Sequence, residues 1–178
     1  DAAELEDVLR RYGEEPMARR IAKAVAEAVA RGEALDTTAR LADLVSRVKG
    51  GRRGRTHPAT QVFQALRIAV NGELDALEAV LPEALGLLAP GGRLAVISFH
   101  SLEDRMVKRF MAAHEGRMES LAKGGARWVG QLPRARRVNR KAVSAGEEEM
   151  ERNPRSRTAK LRVLERIDGD GQEPKTWA

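Results

Sequence analysis

Residues 93–105 read Arg93-Leu94-Ala95-Val96-Ile97-Ser98-Phe99-His100-Ser101-Leu102-Glu103-Asp104-Arg105. From Leu94 to Ile97 the run is almost unbroken apolar, the pattern of a strand covered on both faces. The period then changes. Leu102, Met106, Val107, Phe110 and Met111 recur at helical spacing as far as Gly116. A turn, Ala89-Pro90-Gly91-Gly92, precedes the strand, and a helical pattern precedes the turn. The order helix, turn, strand, helix points to a parallel sheet, and the fold class expected is α/β.

Toward the amino terminus only helical periods occur. Leu5, Val8, Leu9 and Tyr12 form one amphipathic face, closed by Gly13; Ile21, Val25, Ala28 and Val29 form a second, opened by Pro16 and stopped at Gly32. A third starts at the capping residues Asp36-Thr37-Thr38 and carries Leu41, Leu44, Val45 and Val48 to Gly50-Gly51. The basic loop Lys49–Arg55 reads as a solvated connector or as glycine-loosened backbone able to approach phosphate. Apolar positions from Val62 to Leu88 predict two further helices in sequence, broken at Pro82, with Gly72 marking a bend. Toward the carboxyl terminus, Arg127–Val143 carries a weak strand pattern through Trp128, Val129, Leu132 and Val138. A short acidic helix begins at Glu147 and ends at Asn153-Pro154, and Thr158–Ile167 alternates as a half-exposed strand.

With 178 residues, 42% of them hydrophobic, the chain can bury a core, as one domain or one domain with a helical appendage. A net charge of +6 combined with only 3% aromatic residues favours a phosphate backbone as partner over a base-stacking sheet. The absence of cysteine excludes a disulfide scaffold and a thiolate zinc site. No apolar run has the length of a membrane span, so no membrane partner is expected and a cytoplasmic address fits. Because the first residue is Asp1 rather than Met, the chain is expected to be part of something longer.

His100 stands at the carboxyl end of the predicted strand, where ligands bind in open α/β sheets, with Arg105 and Lys108 one turn into the helix. Its polar neighbours read in two ways. Ser101 as N-cap, Asp104 three residues on as the acid of a capping box, and Glu103 near the positive end of the helix dipole need no function. Alternatively His100, Ser101 and Asp104 are catalytic, with His100 contacting a base or phosphate. A Ser-His-Asp hydrolase is excluded: adjacent residues at a strand end project differently, and no G-x-S-x-G turn occurs. His57, His100 and His114 are the only histidines and none lies at i, i+4 from a second ligand, so no metal site is expected.

Several runs together resemble the ribosomal RNA small subunit methyltransferase H family. They are His57-Pro58-Ala59-Thr60; Phe63-Gln64-Ala65-Leu66-Arg67-Ile68 with Val70-Asn71 and Glu73-Leu74; Leu88 to Leu94; and, most specifically, Ile97 to Arg105. Gly146-Glu147-Glu148-Glu149 and Asn153-Pro154-Arg155-Ser156-Arg157, on to Leu161-Arg162, complete a match in order over nearly the whole chain. The resemblance implies a cytoplasmic enzyme transferring a methyl group from S-adenosylmethionine to N4 of a cytidine in the decoding centre of 16S rRNA. Its partner would be that RNA or the small ribosomal subunit. It also implies a Rossmann-like class I methyltransferase domain interrupted by an all-α insertion. Residues 1–56 would be part of the insertion, 57–167 the second half of the methyltransferase sheet, and 168–178 a disordered tail.

The RNA contacts expected on this reading are Arg67 and Asn71 on the long helix, Arg105 and Lys108 after the strand, the acid-free run holding Arg134, Arg136 and Arg137, and Arg155 with Arg157. For Arg67 and Asn71 a solvated polar face serves equally well. The chain also departs from the family pattern. Gly91-Gly92 precedes its strand and Gly169-Asp170-Gly171 lies in the tail, so neither is a cofactor loop, and no D-P-P-Y-like tetrad is present. The chain is therefore expected to be the carboxyl-terminal portion of a longer enzyme, with the S-adenosylmethionine site mostly elsewhere and no turnover alone. Its open sheet edge predicts low solubility or a homodimer. A second function stands beside the first, a non-catalytic RNA- or protein-binding module derived from the same fold.

Overall fold

The computed structural model describes residues 1–51, 56–115 and 134–167, together with the backbone of residues 117–120 and 126–129. Part of the basic loop, Leu132 and the tail from Asp168 lie outside the described residues. The chain divides into two compact units, Asp1–Glu73 and Leu74 onward.

The first unit is helical. α1 (Ala2–Gly13) starts from a capping box: Asp1 Oδ1 accepts from the Glu4 N–H at 2.8 Å, and the Glu4 carboxylate answers the Asp1 amine. α2 spans Ala18–Ala30; α3 spans Thr38–Lys49 and is capped by Thr37, whose Oγ1 accepts from the Arg40 N–H. α4 (Thr60–Asn71) packs on α1 so closely that a Cβ on Gly13 would lie 2.7 Å from the Gln61 carbonyl oxygen. Leu9, Ile21, Val45, Val62 and Ala65 form the core between the four helices. One buried ion pair ties their ends. Glu15, its side chain fully covered, accepts from Lys49 Nζ at 2.6 Å, and the same ammonium donates to the Pro58 carbonyl at 3.0 Å.

The helix break falls at Gly72, not at Pro82. Gly72 caps α4 in the left-handed region (φ 61°), and α5 (Glu73–Leu87) continues through Pro82. Proline inside a helix costs about 3 kcal/mol on local grounds. Burial of Leu81 and Leu85 on either side of it outweighs that penalty.

The second unit is mixed α/β. β1 (Arg93–Ser98) leads into α6 (Ser101–Glu115); β2 (Arg117–Ser120) and β3 (Ala126–Val129) pair as a hairpin; β4 (Ala135–Arg137) and β5 (Val143–Ser144) follow; α7 (Glu147–Arg152) and a 3-10 turn (Pro154–Thr158) lead to β6 (Lys160–Arg166). β6 is the centre of the sheet, with β1 on one edge and β4 and β5 on the other. All three pairings are antiparallel, which corrects the expectation of a parallel sheet. An apolar run announces a strand but not its direction, and β6 returns against β1 after a long connection. Between β4 and β5, Asn139 replaces the missing ladder: its Oδ1 accepts from the Val163 N–H at 2.7 Å and its Nδ2 donates to the Leu161 carbonyl at 3.0 Å.

β1 is also covered on one face only. Leu94, Val96 and Ser98 lie on the side of α6, whose Val107 and Met111 join Leu81, Leu85, Ala135 and Leu164 in the core. Arg93, Ala95 and Ile97 are exposed, Ile97 to 58%. A continuous apolar run describes a strand with an uncovered apolar face as well as one buried on both sides.

Candidate nucleic-acid interface

At the carboxyl end of β1 the chain turns directly into α6. His100 is the N-cap: its Nδ1 accepts from the Glu103 N–H at 3.4 Å, while Glu103 Oε2 accepts from the His100 N–H at 3.3 Å and the Phe99 N–H at 2.8 Å. This is a capping box one residue earlier than expected, with His100 and Glu103 in the places assigned to Ser101 and Asp104. The imidazole is about nine-tenths buried. Its Nε2 lies 3.2 Å from Glu103 Oε1 but outside hydrogen-bonding alignment, and it has no hydrogen-bond partner among the described residues. Ser101 is exposed at the first turn of the helix.

Asp104 points the other way. Arg162 donates to both its oxygens, Nε to Oδ1 at 2.7 Å and a terminal nitrogen to Oδ2 at 3.1 Å, and Lys160 Nζ lies 3.4 Å from Oδ2. The Arg162 hydrogen bonds, chiefly, hold the Asp104 carboxyl below the ordinary carboxylate range against the opposing cost of burial. Asp104 is thus committed to fastening α6 to β6, and it does not share a cluster with His100 and Ser101.

The expected cations separate by element. Arg105 and Lys108 are exposed on α6, and with Ser101 their spacing of four and three residues forms one stripe along the helix. The basic run of β4 is divided by strand alternation. Arg136 reaches Glu165 at 3.0 Å through Nε, on the sheet face where Arg93 also binds Glu165; Arg137 turns to Glu115 of α6. The Arg93 hydrogen bond, and then that of Arg136, lowers the Glu165 carboxyl. Arg134 is tied through its backbone to His114 and Ile167, and its side chain is exposed. Arg155 and Arg157 are exposed on the 3-10 turn. In the helical unit, Arg67 and Asn71 both donate to Glu73, Arg67 through two nitrogens at 2.7 and 2.9 Å.

Glu103, Arg162 and Glu165 were missed as organising residues. The strand period offered a signal for Arg162 alone, which shares a face with the buried Leu164; Glu165 lies on the opposite face, where Arg93 and Arg136 cover it. Phe99 was missed as well, and it is 53% exposed beside the N-cap.

A glycine-rich cofactor loop must follow a strand and leave its backbone open. Gly91 and Gly92 instead close the turn into β1: the Gly91 N–H donates to the Arg166 carbonyl at 2.8 Å, Gly92 accepts from Arg166, and a Cβ on Gly92 would lie 2.8 Å from the Ala89 oxygen. These glycines do not fit a cofactor phosphate or sugar.

Residues 1–167 match the MraW methylase family. The chain is 50% identical over 171 residues to the ribosomal RNA small subunit methyltransferase H of Thermomicrobium roseum, covering 96% of the chain and 52% of that relative. Against the protein of that name from Dehalococcoides mccartyi it is 48% identical over 179 residues, covering 97% of the chain and 48% of the relative. Against the one from Coprothermobacter proteolyticus it is 50% identical over 169 residues, covering 95% and 51%. The chain spans about half the length of these curated relatives.

Proposed function

Since this chain belongs to the MraW methylase family, we propose that it is the carboxyl-terminal, RNA-facing part of an enzyme that methylates N4 of a cytidine in the decoding centre of 16S rRNA. The observation that carries the reading is the identity of about one residue in two along almost the whole chain with relatives named as small-subunit rRNA methyltransferases. S-adenosylmethionine would supply the methyl group, held by the part of the relatives' length that this chain does not match. On this reading residues 1–56 belong to an inserted helical module, residues 57–167 complete the methyltransferase domain, and the 178-residue chain does not turn over alone.

The cytosine amine is conjugated into its ring and is a poor nucleophile. Transfer therefore depends on alignment of the amine with the methyl group, and on extraction of the cytidine from its stack. This chain contributes to both through the rigid turn at the end of β1. Ser101 faces the target nucleotide through its exposed side chain and His100 acts there through the turn that it caps, while Arg105 and Lys108 on the exposed stripe of α6 take the adjoining phosphates, supplemented by Arg134, Arg155 and Arg157. In the second unit Arg136 and Arg137 add positive charge while holding their carboxylate partners, and in the helical unit Arg67 and Asn71 are RNA contacts of their own.

A chimera tests the proposal. This chain is joined to the part of the Thermomicrobium roseum relative that it does not match, incubated with labelled S-adenosylmethionine and small ribosomal subunits, and the rRNA is digested to nucleosides. N4-methylcytidine from the chimera and none from the 178-residue chain is the expected result. A folded, cofactor-binding chimera that leaves the rRNA unmethylated, combined with retained RNA binding by the chain, would favour the non-catalytic binding module instead.

A further inference from the structure

Tyr12, Phe63 and Phe110 each pack against a hydrophobic core, but Phe99 does not and leaves 53% of its surface exposed. Exposure alone is ordinary for an apolar side chain, but an aromatic ring on a rigid backbone offers a flat face for stacking. The rigidity here is specific. Glu103 Oε2 binds the Phe99 N–H at 2.8 Å and the His100 N–H at 3.3 Å, and the helix that Glu103 belongs to is anchored to β6 by the buried Asp104–Arg162 pair. The ring is therefore presented from a fixed turn rather than from a mobile loop, which lowers the ordering cost of any flat ligand laid on it.

The surroundings select the ligand. Arg105 and Lys108 lie on one exposed stripe of the helix that begins two residues after Phe99, and Asp104, the acid at the same spacing, is buried against Arg162. An exposed aromatic ring beside a short cationic stripe is the arrangement that single-stranded nucleic acids use, with the base on the ring and the backbone along the cations. We propose that Phe99 is a stacking platform for an unstacked nucleobase of the RNA substrate, and that Glu103 positions it. The proposal rests on the RNA-directed reading given above and adds a base-contacting residue to it.

Binding of two fluorescein-labelled probes to the 178-residue chain tests it, the first a single-stranded hexacytidylate RNA and the second the same sugar–phosphate chain without bases. Phe99→Leu keeps apolar volume and removes the π face; Phe99→Trp keeps and enlarges it. Wild type is expected to prefer hexacytidylate over the abasic chain by about tenfold, equivalent to about 1.4 kcal/mol. F99L is expected to lose that preference while binding the abasic chain as wild type does. F99W is expected to retain the preference and to show quenching of its indole by hexacytidylate but not by the abasic chain. Glu103→Gln with weakened preference and unchanged abasic binding supports the positioning role. Equal binding of the two probes by wild type, or F99L indistinguishable from wild type, overturns the proposal and leaves the RNA-directed reading standing. Binding of neither probe overturns both.

Discussion

Glu103 and Asp104 are neighbours in sequence and work on opposite sides of one helix. Glu103 closes the turn above the helix amino terminus, whereas Asp104 reaches back to Arg162 and Lys160 of β6. Removing one partner of such a buried pair strands a charge, so Asp104→Asn is expected to lower stability at neutral pH by about 3 kcal/mol, read by denaturant unfolding. The pair also sets an acid dependence. Because the folded Asp104 carboxyl titrates below its unfolded range, its contribution is complete above about pH 4, the unfolded value, and is lost as pH falls through the lower, folded one. Thermal melts between pH 7 and pH 3 should show a steeper acid loss for wild type than for D104N. Equal slopes would mean that Asp104 does not contribute this dependence.

Among the elements, the tightest constraint is the crossing of α1 on α4 at Gly13. Gly13→Ala forces a Cβ against the Gln61 carbonyl and is expected to cost about 2 kcal/mol. Gly72→Ala meets open space but must hold φ at 61°, and is expected to cost about 1 kcal/mol. Chemical denaturation of both variants checks the difference. The same two glycines show what could be read in advance. The helices, β1 and β6 followed from period and capping, because those are local properties, whereas β2 was not read and the one weak strand expected over Arg127–Val143 is divided among β3, β4 and β5. The break at Gly72 rather than Pro82 did not, because it depends on Leu81 and Leu85 finding a core. The antiparallel return of β6 was likewise invisible, since direction is a property of the partner strand. At the site, the turn and its basic stripe were legible from position alone. The identity of the cap was not: Ser101 is the better capping residue by propensity, yet Glu103 reaches back to His100.

On the scale of the whole molecule, the outer face of the sheet stands out. Ala95, Ile97 and Val143 are exposed there, Ile97 to 58% and Val143 to 55%, and one edge of β1 has no strand beside it among the described residues. Open edges with apolar faces invite pairing. Sedimentation of the 178-residue chain at tens of micromolar is expected to show self-association, and Ile97→Lys is expected to shift it toward monomer. A wild type that is monodisperse and monomeric at that concentration would contradict the expectation.

The distance along the chain between β1 and its partner bears on how the protein is made. Ser98 pairs with Lys160, 62 residues further on. At roughly 5 to 20 residues per second, synthesis of that stretch takes on the order of 3 to 12 seconds. The helices of the first unit, whose contacts are local, close in a small fraction of this time. Strand β1 therefore waits through that interval, after the helical unit has closed, before β6 can pair with it.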